Sequence, residues 1–356
     1  MFNKLFQDKR VLVTGHTGFK GSWLSIWLHR MGAKVAGYSL APETTPCLFD
    51  AASVSQAVAH HIVSDVRDPQ ALREALDSTR PELIIHMAAQ PLVRRSYAEP
   101  VMTLETNFNG TLNLLEAVRL RDEPCAVVVV TTDKCYRNNE QVWGYREDDP
   151  LGGDDPYSAS KAAAELLVHT YRRSFFAAGN KVRLASVRGG NVIGGGDWSQ
   201  DRILPDLVRS IQSGQPLEVR SPGAIRPWQH VLELLAGYLL VASRLLSCDD
   251  NKWCSSWNFG PLPGEDMPVG ELVAHFCHTW GEGDWTDASR PGQLHEANIL
   301  RLAIDKSVSE LGWRPRWSVS DAVQRTALWY REFYAGRAAL DLVAEDIQAF
   351  ELASRP

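Results

Sequence analysis

The sequence has 356 residues, 44% of them hydrophobic and 22% charged, with a formal net charge of −6. That length exceeds one small core, and the composition is ordinary for a globular chain. The acidic balance argues against nucleic acid as a bulk partner, although local arginines can still bind a small anion. Met1–Arg10 is polar and lacks a signal-peptide apolar region, and no stretch approaches the ~18 uninterrupted apolar residues of a membrane span. No membrane partner is expected, and the expected compartment is the cytoplasm. The six cysteines (Cys47, Cys125, Cys135, Cys248, Cys254, Cys277) are scattered without a C-x-x-C, which fits reduced thiols.

In chain order, Arg10–Thr14 reads as a strand and Gly18–Met31 as a helix stopped by Gly32. Strands follow at Lys34–Tyr38, His61–Val63 and Leu83–His86, with helical patterns near Pro69–Ser78 and Val101–Arg119. Ala126–Thr131 carries an unbroken β-branched run from Val127 to Val130, as in a parallel sheet covered on both faces. A helix over Tyr157–Ala178 and a strand at Val182–Val187 complete the alternation, which predicts an α/β fold with a Rossmann-type doubly wound parallel sheet. Beyond Arg188 the rhythm breaks. Gly189–Trp198 is glycine-rich, Ile203–Ser213 is helical, Trp253–Pro268 and Asp287–Glu296 read as loops, and a last helix begins near Ser320. The expected division is a dinucleotide-binding domain over 1–188, with about 223–255 returning to it, and a smaller irregular substrate lobe formed mainly by 189–222 and 256–356.

Gly15, Gly18 and Gly21 stand where the first strand turns into the first helix. Residues without Cβ let backbone approach a pyrophosphate, and the helix N-terminus offers free N–H groups and partial positive charge. Between Val11–Thr14 and a helical pattern, the triplet predicts dinucleotide binding, with Thr17, Phe19 and Lys20 in the same turn. The second strand ends Tyr38-Ser39, without the acid that commonly holds the ribose and without an arginine for a 2′-phosphate. The balance favours NAD, with Ser39 at the ribose position. Lys20 would serve the pyrophosphate or a 2′-phosphate, or be solvated, and Asp65-Val66 would meet the adenine or simply end a strand.

Tyr157 and Lys161 lie one helical turn apart and share a face. A nearby ammonium is expected to lower the phenol pKa, so that Tyr157 can take a proton from a sugar hydroxyl as hydride leaves the same carbon. Thr132 would hydrogen-bond that hydroxyl. Asp133 and Lys134 follow directly after the valine-rich strand, and add an acid and an amine. His86, His230 and His295 lack metal-ligand spacing, and no metal is expected.

With these residues the chain resembles the extended short-chain dehydrogenase/reductase family. The supporting motifs are Thr14-Gly15-x-x-Gly18-x-x-Gly21, His86-Met87-Ala88-Ala89-Gln90, Asn107-Phe108-Asn109-Gly110-Thr111 and Tyr157-x-x-x-Lys161. Arg188–Gly194, Arg226-Pro227-Trp228, Ser289-Arg290-Pro291-Gly292 and Leu311-Gly312-Trp313-x-Pro315 extend the likeness over nearly the whole chain. The resemblance implies that Asn107 joins Thr132, Tyr157 and Lys161 in a catalytic tetrad. It also puts Ala88, Ala89 and Gln90 near the cofactor, Gln90 near cofactor or sugar, and Asn191 on the substrate.

Thr132-Asp133-Lys134 looks like the signature of the nucleotide-sugar 4,6-dehydratase branch, where Thr-Asp-Glu is commoner. Lys134 in place of the glutamate, together with Gly15–Trp23, implies CDP-D-glucose as the substrate. In the implied reaction Tyr157 deprotonates the C4 hydroxyl as NAD accepts hydride, and Asp133 protonates the departing C6 hydroxyl. Lys134 or a neighbour removes the C5 proton, or a charged Lys134 stabilises the enolate. Arg188, Arg220, Arg226 and Arg290 are the candidate diphosphate ligands, since guanidinium binds phosphate in a bidentate manner. The family likeness further implies a homodimer through the Val101–Arg119 and Tyr157–Ala178 helices, and dideoxysugar supply to lipopolysaccharide O-antigen. The competing readings are another nucleotide-sugar enzyme (a dTDP- or GDP-sugar dehydratase or a 4-epimerase) and a non-enzymatic dinucleotide sensor. Asp133-Lys134 argues against an epimerase, and the retained Tyr157 and Lys161 argue against a sensor.

Overall fold

The computed structural model describes residues 2, 4–177, 179–247, 250–290 and 299–353. Cys248, Pro291, Gly292, His295 and Glu296, and the expected helix end at Ala178, lie outside the described residues. Seven parallel strands form the central sheet: β1 (Arg10–Thr14), β2 (Lys34–Ser39), β3 (His60–Val63), β4 (Leu83–His86), β5 (Cys125–Val130), β6 (Val182–Gly189) and β7 (Ser256–Phe259). Their order is β7-β6-β5-β4-β1-β2-β3, so the winding reverses between β1 and β4. A crevice opens at the carboxyl ends of the strands at such a reversal. Here it is flanked by the segments that follow β1, β4 and β5.

Side chains alternate across the sheet with the two-residue period of extended backbone. Val11, Val13, Val128 and Val130 enter one core, packed with Trp23, Trp27 and Leu235. Leu12, Val127 and Val129 enter the other, with Leu72, Leu114 and Val168. Burial on both faces explains the uninterrupted valines of β5.

The helices that frame the site are α1 (Phe19–Arg30), α2 (Pro69–Thr79), α3 (Val93–Ala98), α4 (Gly110–Arg121) and α5 (Pro156–Ser174). The Val101–Arg119 pattern is not one helix. A short helix at Pro100–Leu104 passes through a π-helical turn at Glu105–Asn109 into α4. The extra residue of that turn rotates Asn107 into the interior, where it is buried. Further along lie α6 (Ile203–Ser213), α7 (Val231–Ser247), α8 (Val269–Trp280), α9 (Val319–Tyr334) and α10 (Ala339–Leu352). Trp253–Pro268, read as a loop, contains β7, which pairs in parallel with β6 from Ser256↔Ser186 to Phe259↔Gly189. That strand falls in a stretch assigned mainly to the substrate lobe. The lobe's own strands are short pairs, such as Leu217–Val219 beside Trp285–Asp287. Among the described residues, no helix is long and apolar enough to cross a membrane.

Candidate active site

The first wall is the glycine turn. Gly15 has φ +76°, and a Cβ there would lie 2.8 Å from the Ala88 nitrogen. At Gly21 a Cβ would lie 2.1 Å from the Gly15 carbonyl oxygen, so the helix could not approach the turn. No side chain caps α1, which leaves its first N–H groups for a phosphate. The Thr17 hydroxyl donates to the Leu40 carbonyl at 2.9 Å and meets the Ser39 hydroxyl at 2.8 Å. That pair ties the turn to the end of β2 and supplies hydroxyls where a carboxylate is common. Thr14 Oγ1 accepts from the N–H groups of Met87 and Ala88, both at 3.1 Å, so the Ala88–Gln90 segment is drawn against the turn. These residues fit a dinucleotide. Asp65 is less available than expected. Its carboxylate takes three hydrogen bonds from the Arg67 side chain, which hold it below its usual range, and its carbonyl accepts from the Tyr38 hydroxyl at 2.7 Å. Val66 is buried against Gly110.

The second wall is α5. Asp155 caps it by accepting from the Ser158 N–H, and Pro156 occupies its first turn. This start turns Tyr157 and Lys161 toward the end of β5, and both are buried. The Lys161 ammonium donates to the Val130 carbonyl at 3.3 Å. Burial lowers Lys161 to about 8, opposed by Glu165 one turn further on. The expected lowering of the phenol by Lys161 is not found. Burial pushes Tyr157 up to about 12, partly offset by its hydrogen bond with Thr132, while Asp133 raises it further. The oxidised nicotinamide ring is a further cation that would favour the phenolate.

The third wall follows β5. The Thr132 hydroxyl donates to Asp133 Oδ1 at 2.9 Å and accepts from the Lys134 N–H at 3.3 Å. Lys134 Nζ lies 3.5 Å from Asp133 Oδ1 and 3.4 Å from Asn191 Oδ1. Asp133 is wholly buried and its Oδ2 has no hydrogen-bond partner. Thr132, Lys134, Tyr157 and Asn191 line a cavity of about 420 Å3 together with Arg220 and Arg226. Asp133 sits just behind that wall, gripped by two residues that form it.

Several expected contacts are otherwise engaged. Arg188 does not face the cavity. It is buried, donating to Glu165 Oε2 at 2.7 Å, to the Tyr136 hydroxyl at 2.8 Å and to the Glu147 carbonyl at 2.9 Å. The Gln90 side chain closes on Leu92 and Thr103 and is not among the residues lining the cavity. Asn107 holds the Gln90 backbone through both its N–H and carbonyl and donates to Ser160 Oγ at 2.8 Å, so it braces the β4 loop against α5. Arg290 is exposed and lies outside the cavity wall. Conversely, Arg94 and Arg202 line the cavity, and neither was singled out from sequence because neither sits in a recognisable motif. Lys20 also lines the cavity, half-buried, and desolvation, with Arg202 and Lys161 nearby, takes it down to about 7.

A phenol, a hydroxyl and an amine on one cavity, with a carboxyl behind them and a dinucleotide groove alongside, can move a hydride and two protons on one carbohydrate ring. Residues 11–252 match the NAD dependent epimerase/dehydratase family. The chain belongs to that family. It is 47% identical over 345 residues to the CDP-glucose 4,6-dehydratase of Salmonella typhimurium, covering 96% of each chain. With the dTDP-glucose 4,6-dehydratase of Streptomyces antibioticus it shares 30% identity over 329 residues, covering 90% and 92%. Among solved structures, the dTDP-glucose 4,6-dehydratase DesIV of Streptomyces venezuelae, with NAD and TYD bound, superposes with a TM-score of 0.76 at 26% identity. That match covers 93% of this chain and 99% of DesIV. The family's dependence on NAD agrees with the cofactor expected from the glycine turn and Ser39.

Proposed function

We propose that this epimerase/dehydratase-family enzyme is a lyase that converts CDP-D-glucose to CDP-4-dehydro-6-deoxy-D-glucose and water. The observation that carries the reading is the cluster after β5, where Thr132 and Lys134 meet Tyr157 on one cavity and Asp133 is held between them. An epimerase has no use for that additional acid and amine. The 47% identity to a CDP-glucose 4,6-dehydratase supports cytosine as the base.

Held at the glycine turn beside Thr17 and Ser39, NAD would supply a hydride acceptor for C4 and a hydride donor for C6. Tyr157, held by Thr132, takes the C4 hydroxyl proton, and Lys161 offsets the phenolate charge. The resulting ketone acidifies C5–H. Asp133, kept dry by complete burial, gives a proton to the C6 hydroxyl as it leaves as water. Lys134 either takes the C5 proton or, remaining charged, stabilises the enolate while another group or water takes that proton, and C5 regains a proton as hydride reaches C6; in both cases replacement of Lys134 by Ala leaves C4 oxidation and stops elimination. Arg220 and Arg226 hold the diphosphate, with Arg94 and Arg202 beside them, and Asn191 contacts the sugar.

The division into a dinucleotide domain (1–188 with about 223–255) and a substrate lobe belongs to the same proposal, as does a cytoplasmic role in dideoxysugar supply for lipopolysaccharide O-antigen. A homodimer is supported by exposed apolar side chains on neighbouring helices, namely Val101 and Leu104 before the π turn and Leu166 on α5. The deciding experiment incubates the protein and NAD with CDP-, dTDP-, GDP- and UDP-glucose side by side and follows the alkali-induced absorbance of the 4-keto product. Turnover of CDP-glucose is expected. Preference for another nucleotide would move the assignment to that substrate, and no signal with any of them would overturn it.

A further inference from the structure

The charge lining the cavity does not look like that of an open site for a dianion. Six of its lining residues are lysine or arginine and seven are aspartate or glutamate. Two of these acids are spent on the arginines themselves. Arg202 Nη1 lies 3.1 Å from Asp197 Oδ2. Asp201 is the more informative case, because one of its oxygens faces two arginines from different elements. Its Oδ1 is 3.5 Å from Arg94 Nη1 on α3 and 3.7 Å from Arg220 Nη1, just beyond the strand Leu217–Val219. All three residues line the cavity. The backbone of Asp201 is held at φ +56°, in the left-handed region that costs a non-glycine residue energy. These are long ionic contacts, and the side chains are 37–45% exposed, so each is weak and easily exchanged.

We propose that Asp201 is the resident partner of Arg94 and Arg220 and sets how tightly the nucleotide is held by competing with its diphosphate for them. The inference rests on the nucleotide-sugar reading above. One carboxylate shared between two guanidiniums leaves both undersatisfied. A diphosphate carries enough oxygens and charge to serve each of them. Binding then exchanges one set of ionic contacts for a stronger one. On product departure Asp201 recloses on the arginines, so neither is left as an uncompensated cation. Substrate and product carry the same nucleoside diphosphate, and a site with unopposed arginines would release the product slowly. Asp201 is thus a positioning and affinity-setting residue, with no proton or bond of the reaction assigned to it.

The test is Asp201→Asn, with Asp201→Ala as a second variant, titrated calorimetrically with CDP, dTDP, UDP and GDP at low and moderate salt. For whichever nucleotide the unmodified protein binds, the variants should bind about two- to tenfold more tightly, the range expected from freeing two exposed ion pairs. KM should fall by a similar factor without a rise in kcat, and the salt dependence of binding should steepen. Glu43→Gln, which removes the Arg95–Glu43 pair at 2.9 Å outside the cavity, should change none of these. Unchanged or weaker binding by both Asp201 variants would overturn the inference. If the unmodified protein binds none of the four nucleotides, the nucleotide-sugar reading itself fails, which is a separate outcome.

Discussion

Arg188→Met separates two roles for an arginine that stands in a family motif. In the structure it is an internal counter-ion. Glu165 is buried and would be raised by that burial, but Arg188, Thr131 and Ser186 together hold it below its ordinary range. Methionine fills much of the volume and removes the charge, leaving Glu165 with hydroxyl donors alone. Stranding one member of a buried pair costs about 3–5 kcal/mol. With an unfolding entropy of roughly 2.1 cal/mol/K per residue over 356 residues, each kcal/mol moves Tm by about 1.3 °C. Scanning calorimetry should therefore show Tm lower by about 4–7 °C. The double variant Glu165→Gln/Arg188→Met, which removes both charges, should recover part of the loss. KM for the nucleotide sugar should stay within about twofold, as for a residue with no substrate contact. An unchanged Tm with a tenfold higher KM would refute the reasoning and put the guanidinium on the diphosphate.

Asp133→Asn should still oxidise C4 in a single turnover, seen as absorbance near 340 nm from bound reduced cofactor, while 4-keto-6-deoxy product falls by at least about 100-fold; normal dehydration would remove Asp133 from the mechanism. Gly21→Ala drives a methyl group into the Gly15 carbonyl and should abolish fluorescence-detected binding of reduced dinucleotide, and full affinity would contradict the close packing of that turn. Burial lowers His16 to about 4, and His86 and His230 to about 3. The unfolded chain therefore takes up more protons than the folded one below about pH 6.5. Each histidine should remove about 1.4 kcal/mol of stability per pH unit as pH falls from there toward its folded value. A urea midpoint that did not drop between pH 7 and pH 5 would count against their burial.

The dinucleotide half was legible because its signals are local and repeated. The valines of β5, the glycine triplet and the Asp155-Pro156 start of α5 each determine backbone within a few residues. The parts that escaped depend on distant partners. β7 is only four residues long, Ser-Trp-Asn-Phe, and is a strand because β6 offers an open edge. The π turn at Glu105–Asn109 is invisible to a 3.6-residue period because it consists of a break in that period. Arg188 and Gln90 were assigned to ligands by their place in motifs, whereas their contacts are decided by Glu165 and Thr103. An arginine's neighbours cannot be read from its own stretch of chain, and Arg94 and Arg202 were overlooked for the same reason.

The placement of β7 has a practical consequence for dissecting this enzyme. A protein cut after residue 252, where the family match ends, would retain Tyr157, Lys161 and the whole Thr132–Lys134 cluster. It would also bare the hydrogen-bonding edge of Ser186–Gly189 and remove Ser256, whose hydroxyl meets Ser186 Oγ at 2.9 Å. An unprotected parallel edge invites pairing with other chains. Such a fragment is expected to aggregate with its reactive groups intact, because the last strand of the central sheet to leave the ribosome is the one that seals it.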